Sequence, residues 1–428
     1  MLTVMTTPAR TASFEELLST RARIGWGGSV TTVRPVAKPL YEFGGGFPDP
    51  ASFPYDGMVE ATRKMMDAEG AEALTYGDPQ GYRGLRELIC HKYKFYENLE
   101  VTPENIFIAN GSGAALSLAF SAFVDPGDPM IIEAPTFSGS LNNIRRHGPE
   151  IHGVPVDADG MVISAVREAL EKIQPLGPPV QADLHDRQLP EPGGARSVDR
   201  PSPGADRAGR GVRHASSWKT TPTTSSDLEG DSEAAGLRAR PQRPYRSARG
   251  TLSKILGRRR AARLALRANR DASGVSGLQL RRRRQSRSCR AWRPTSCATT
   301  WKRTSRCWSA SIGPSATPCC AGLWEVLKGT DVEISRPQGG FFIWIKLPSA
   351  TNVAKLEELA AQARVQYTPG RAFFAGKGGE RHIRLAFSYE QPDKCYEGSR
   401  ILAKAILDAG AWRGRSLARA ATYFWVIS

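Results

Sequence analysis

Apolar residues recur with helix and strand periods up to about residue 177, lose that order, and regain it from about residue 322. Met58, Ala61 and Met65 fall on one face of a helix expected over residues 55–68. A second amphipathic helix is expected from residue 82 to about 95. The apolar run 105–109 predicts a short buried strand. It enters Asn110-Gly111-Ser112-Gly113-Ala114 and then an apolar helix that lasts to Phe123. Asp125-Pro126-Gly127-Asp128 ends the helix, residues 129–133 predict another buried strand, and Ala134-Pro135-Thr136-Phe137-Ser138-Gly139 follows. Helices over 141–147 and 162–172, with a strand over 151–155 between them, continue an alternation that implies a mostly parallel sheet with helices on both faces.

The carboxy-terminal pattern is different. Residues 331–336 and 341–347 predict two strands around Pro337-Gln338-Gly339-Gly340, followed by a helix over 353–363 and a strand over 364–367. Residues 381–388 alternate as a half-buried strand, and a last helix is expected over 393–408. This reads as a small α+β domain. The expected organisation is an arm over 1–45, mobile or carrying a first helix, and the first part of a large α/β domain over 46–177. An aberrant tract over 178–321, expected to be irregular, then precedes the small domain over 322–410 and a tail over 411–428.

Charge sharpens this division. The chain carries +17 overall, but residues 181–320 hold 26 Arg, 3 Lys and 10 Asp plus Glu, a net of +19, so the other 288 residues sum to −2. The patterned flanks therefore have the near-neutral balance of a soluble enzyme. Arg281-Arg282-Arg283-Arg284 offers the alternative of a basic nucleic-acid binder, yet no recognition fold surrounds it, and no specific nucleic-acid partner is expected. Cys289, Cys297, Cys307, Cys319 and Cys320 have no zinc-ligand spacing and no His nearby, so no metal site is expected. The first 20 residues lack the apolar core of a signal peptide, and no run of about 18 apolar residues occurs. A cytoplasmic protein without a membrane partner is expected.

Three features suggest chemistry. A Gly-Ser-Gly turn between a strand and a helix presents free backbone N–H groups and the positive helix end, which favours an anion such as phosphate. Gly44-Gly45-Gly46 before Phe47-Pro48-Asp49-Pro50 is a loop, and one open to close approach by a ligand. Arg384, between apolar neighbours, either faces solvent or uses its forked guanidinium to receive a carboxylate. Inside the tract, Gly250-Thr251-Leu252-Ser253-Lys254 is a peptide suited to carrying a reactive lysine.

These motifs, with Leu74-Thr75-Tyr76-Gly77, Pro337-Gln338-Gly339-Gly340-Phe341-Phe342 and Ile383-Arg384-Leu385-Ala386-Phe387-Ser388, occur in the order found in one family. Over about 40–177 and 322–408 the chain resembles fold-type I, pyridoxal-phosphate-dependent aminotransferases of class I/II. It is most similar to the 2-aminoadipate, kynurenine and aromatic branch. The resemblance implies a transferase fold with a mostly parallel sheet, a homodimer, and exchange of an amino group between an L-amino acid and a 2-oxo acid such as 2-oxoglutarate. Lys254 would hold the cofactor as a Schiff base and act as general acid–base, its amine brought towards neutrality by burial. Ser112, Gly113 and Ala114 would cup the phosphate with help from Ser253, and Tyr76 would reach the phosphate of the neighbouring subunit. Phe137 would stack on the pyridine ring or pack in the core, Arg384 would clamp the substrate α-carboxylate, and Gly46 would lie beside it. A lyase or decarboxylase on the same fold, or a derivative of the winged-helix regulators that share these motifs, remains an alternative.

The family's Asn, Asp and Tyr that contact the ring, and an Arg seven residues after the lysine, are missing where the resemblance expects them. Ala261 stands at the last position. A reading-frame explanation fits. Residues 183–192 can be encoded so that a one-base shift gives Ile-Tyr-Thr-Ile-Ala-Asn-Phe-Gln-Asn-Pro. Residues 216–224, shifted by two, can give Val-Leu-Glu-Asp-Asp-Pro-Tyr-Tyr, and residues 257–266, shifted by one, Gly-Ala-Gly-Val-Arg-Leu-Gly-Trp-Leu. Without those groups this chain is expected to hold the cofactor weakly or not at all. The coding sequence is therefore predicted to carry at least two frame changes between residues 176 and 322. A verified nucleotide sequence with none of these peptides in any frame would refute this.

Overall fold

The computed structural model describes residues 39–97, 100–157, 160–173, 181–185, 216–220, 246–251, 263–267, 316–335, 337 and 340–410, with a few positions between 16 and 23. Ser253, Lys254, Gln338, Gly339 and the tail 411–428 lie outside the described residues.

The amino-terminal elements follow their apolar patterns. Helix α1 (Tyr55–Ala73) runs five residues further than its pattern predicts and is kinked at Glu69. Helix α2 (Arg83–Glu97) places Leu85, Ile89 and Tyr93 four residues apart, and this stripe packs on Ile106 and Ile108 of strand β2 (Ile106–Ala109). The alternate residues of β2, Phe107 and Ala109, turn to the opposite face and meet Ala115 of helix α3 (Ser112–Phe123). Strand β3 (Pro129–Ala134) divides in the same way. Met130 and Ile132 pack with Leu116 and Phe120 of α3 and with Leu141 and Ile144 of helix α4 (Ser138–Arg145). Ile131 faces Val154 of strand β4 (Glu150–Asp157), Met161 of β5 (Gly160–Met161) and Val166, Leu170 and Ile173 of helix α5 (Ile163–Ile173). A strand apolar on both faces must be covered on both, which is why helices flank the sheet. Each fully buried Leu or Ile there contributes about 1.5–3 kcal/mol.

Most of the tract lies outside the described residues, but its described residues depart from the irregular structure expected. Four of its segments are strands: β6 (Gln181–His185), β7 (Ser216–Thr220), β8 (Arg246–Thr251) and β9 (Arg263–Arg267). They complete an eight-stranded sheet of order β2-β9-β8-β7-β6-β3-β4-β5. β4, β3, β6, β7 and β8 are mutually parallel, while β9 runs antiparallel to both β8 and β2. Strand pairing uses backbone N–H and C=O groups, which every residue but proline carries, so the ladder forms without an apolar pattern to announce it.

The small domain also begins earlier than expected. Residues 316–327 form helix α6, in which Ala316, Cys319, Leu323 and Leu327 are buried at helical spacing. They cover one face of a four-stranded sheet of order β10-β11-β14-β13, made of Glu333–Ile334, Phe342–Lys346, His382–Ala386 and Thr368–Pro369 in that order. Ile343, Ile345, Ile383 and Leu385 point into this core with Cys395, Leu402 and Ile406 of helix α8 (Pro392–Asp408). Helix α7 (Val353–Gln362) adds Leu356 and Ala360. Residues 41–43 are no mobile arm either. Strand β1 (Tyr41–Glu42) pairs in parallel with β12 (Val365–Gln366), and Tyr41 and Phe43 are buried in the small-domain core.

Helices α6 and α8 cross at Gly322, where an added Cβ would overlap Ser399 Oγ and the carbonyl oxygen of Tyr396. Alanine would gain about 1 kcal/mol of helix propensity but must push the two helices apart. Gly322→Ala is expected to lower stability by about 1–3 kcal/mol in urea unfolding. An unchanged or raised midpoint would mean the helices do not meet this closely.

Candidate functional site

The sheet register sets the site. Ala109, the last residue of β2, and Thr251, the last of β8, both pair with Arg263 of the intervening β9. β2 and β8 therefore end at the same level, two strand spacings apart, roughly 10 Å. β7 and β6 end at the same carboxyl edge, as does β3, which delivers Phe137. Crevices beyond such an edge are where ligands of α/β sheets bind.

Gly111 enters α3 with φ 95°, a conformation that costs glycine little. The first turn of α3 carries no acidic residue, so nothing there competes with an anion. Among the described residues an added Cβ at Gly113 would meet nothing within 4 Å. Asn143 Nδ2 donates to the Gly113 carbonyl at 2.6 Å, joining α4 to the turn. This positioning residue escaped the sequence reading, because Asn in a helix carries no pattern of its own. Phe137 stands at the N-cap of α4, 38 % exposed. A Cβ at Gly139 would come within 2.7 Å of its ring, so glycine is needed there to let the ring lie over the helix start. Phe137 is thus no core residue. A phosphate-bearing aromatic ring fits these described residues: an anion turn, and a partly exposed ring for stacking.

The small domain adds a buried arginine. Arg384 is 4 % exposed, so the solvent-facing alternative is excluded. Its guanidinium lies over the rings of Phe342 at 4.2 Å and Phe373 at 4.9 Å. Its Nη2 donates to the Gly44 carbonyl at 2.7 Å, next to Gly45 and Gly46. Thr136, beside Phe137, donates its N–H to the Phe373 carbonyl at 2.8 Å, and Arg145 Nη2 donates to the carbonyls of Phe374 and Ala375 at 3.0 and 2.9 Å. The glycine loop, Arg384 and Phe137 are therefore linked across the two domains. His382, on the same strand as Arg384, stacks on Trp344, and burial followed by the Lys346 charge pushes its pKa down. Tyr76 is not drawn into this cleft. It is 75 % exposed, on a turn held by Arg86, which bonds Asp78, Gln80 and the Pro103 carbonyl. Among the described residues no group of His, Cys, Asp or Glu forms a metal site, and no helix is long and apolar enough to cross a membrane.

Comparison with known proteins agrees with this geometry. Residues 49–182 match the family model "Aminotransferase class I and II". The chain is 25% identical over 375 residues to aromatic-amino-acid aminotransferase 1 of Thermococcus litoralis, covering 85% of this chain and 87% of the relative. It is 27% identical over 377 residues to 2-aminoadipate transaminase of Thermus thermophilus, covering 86% and 90%. The solved structure of LysN, the α-aminoadipate aminotransferase of Thermus thermophilus complexed with N-(5'-phosphopyridoxyl)-L-leucine, superposes with TM-score 0.80. The identity is 23%, covering 93% of this chain and 99% of that one. The fold is thus fold-type I, and the chain is similar to class I and II aminotransferases, a family whose cofactor is pyridoxal phosphate.

Gly113→Asp meets no described residue at its Cβ but sets a carboxylate in the anion turn. It is expected to weaken binding of pyridoxal phosphate at least about tenfold, read by absorbance titration, with little change in unfolding. Equal affinity would show that the phosphate does not seat at α3.

Proposed function

We propose that this chain is built to move an amino group between an L-amino acid, 2-aminoadipate or an aromatic one, and a 2-oxo acid such as 2-oxoglutarate, as a homodimer in the cytoplasm. The observation that supports this reading is the shared row of Ala109, Arg263 and Thr251, in which the strand before the Gly-Ser-Gly turn and the strand that ends three residues before Lys254 stop at the same level. When bound, pyridoxal phosphate supplies an electron-withdrawing ring that makes the substrate Cα–H acidic and stores the amino group between half-reactions. The chain supplies the rest. The Ser112 hydroxyl and the N–H groups of Gly113 and Ala114 hold the phosphate, assisted by Ser253, and Phe137 stacks on the ring. Lys254 anchors the cofactor and moves the proton at the substrate Cα. Arg384 receives the α-carboxylate, with Gly46 alongside. The substrate class is supported by the two sequence relatives.

An exposed apolar stripe supports the dimer. Tyr55, Val59 and Met66 on α1, with Leu74 and Tyr76 just beyond, are 61, 61, 43, 66 and 75 % exposed. Such a patch is buried when a second copy covers it, and Tyr76 then reaches the neighbour's phosphate.

The tract limits the chemistry. β7 ends on Lys219 and Thr220 at the middle of the carboxyl edge. The two-base shift of residues 216–224 places its first Asp at this strand end, where a carboxylate would hold a proton on the ring nitrogen. We infer that the present chain, lacking it, retains the cofactor weakly or not at all. A frame-restored chain is expected to be a dimer that binds pyridoxal phosphate stoichiometrically and reacts with 2-aminoadipate, glutamate or aromatic amino acids in single-turnover absorbance measurements. Lys254→Ala in that chain is expected to abolish turnover. Rapid half-reaction by the present chain would refute the inferred damage, and turnover by the restored Lys254→Ala variant would remove Lys254 from its role.

A further inference from the structure

The receptor arginine does not hold its orientation alone. Thr368 faces Arg384 directly in the β13–β14 register, so their side chains share one face of the small sheet. Arg384 Nη2 donates to Thr368 Oγ1 at 3.2 Å, and the same hydroxyl donates its proton to the Gly44 carbonyl at 2.7 Å. That carbonyl also accepts from Arg384 Nη2. Three groups therefore close a triangle: guanidinium, hydroxyl and glycine-loop carbonyl. The loop is pinned from its other side by Glu42, whose Oε1 accepts the N–H groups of Gly44 and Gly45 at 2.9 and 3.0 Å.

The geometry restricts the guanidinium in two ways. Phe342 and Phe373 hold its plane, but flat rings leave rotation within that plane nearly free. A hydroxyl can donate and accept at once, so Thr368 fixes the remaining rotation and ties it to the loop. We propose that Thr368 is a positioning residue. Its hydroxyl sets the in-plane orientation in which Arg384 meets a carboxylate, and it locks the Gly44 peptide to that orientation. The proposal rests on the reading of Arg384 as the carboxylate receptor. It adds that the hydroxyl, rather than the volume of Thr368, governs affinity.

The test uses the full chain, with glutarate as a probe that has two carboxylates and no amino group. Titration calorimetry at low ionic strength is run on the native chain and on Arg384→Gln, and the difference defines the Arg384-dependent binding. Thr368→Val keeps the shape and removes the hydroxyl. It is expected to weaken that component about fivefold to tenfold, the worth of one hydrogen bond. Thr368→Ser is expected to stay within about twofold of the native value because it retains the bond. If Thr368→Val does not fold by circular dichroism, Thr368→Ala serves in its place. Native-like affinity in the folded variant without the hydroxyl would overturn the proposal, as would a Thr368→Ser as weak as Thr368→Val. Absence of any Arg384-dependent component in the native chain would instead overturn the receptor reading, and this proposal with it.

Discussion

Everything in the large domain hangs on the insertion of β9, antiparallel, between β2 and β8. Without that strand, β2 would have no strand neighbour among the described residues. With it, Ala109 and Thr251, the last residues of β2 and β8, share a level set by their pairing with Arg263. The insertion asks little of the side chains, because the ladder is made of main-chain groups. A site, by contrast, needs particular atoms at the strand ends. This separates the architecture of the chain, which tolerates the basic tract, from the requirements of a site.

The same distinction explains what could be read from the sequence. β2, β3 and α3 were legible because each buries apolar residues on two sides, and Met130, Ile131 and Ile132 can serve no other purpose. The strands β6 to β9 were not legible, since Ser216-Ser217-Trp218-Lys219-Thr220 has neither alternation nor apolar run. Tyr41 and Phe43 did alternate around Glu42, but three residues are too short a pattern to separate a strand from an arm. Helix α6 was lost for another reason: its stripe of Ala316, Cys319, Leu323 and Leu327 straddles the point where the composition changes.

The site was legible as motifs but not as an assembly. Ser112 and Gly113 announced an anion turn, and Arg384 a choice between solvent and receptor. Nothing in the sequence showed that Asn143 would brace the Gly113 carbonyl, or that Phe373 would both cover Arg384 and accept a bond from Thr136. These contacts join residues far apart in the chain and depend on how two sheets face each other. A single sequence encodes that only through the completed fold.

The small domain holds residues 41–47 through the β1–β12 pair and through the bonds from Arg384 and Ser388, yet α1 begins at Tyr55, only a few residues later. The intervening stretch contains Pro48, Pro50 and Pro54 and a short 3-10 turn whose start is capped by Asp49 Oδ1, at 2.9 Å from the Ala51 nitrogen. Proline rings lock φ and leave such a stretch little slack. The stretch runs directly from the residues bonded to Arg384 to the amino end of α1. The outward-facing Tyr55 and Val59 sit at that end. A short proline-rich link thus stands between the surroundings of Arg384 and an exposed apolar face of the chain.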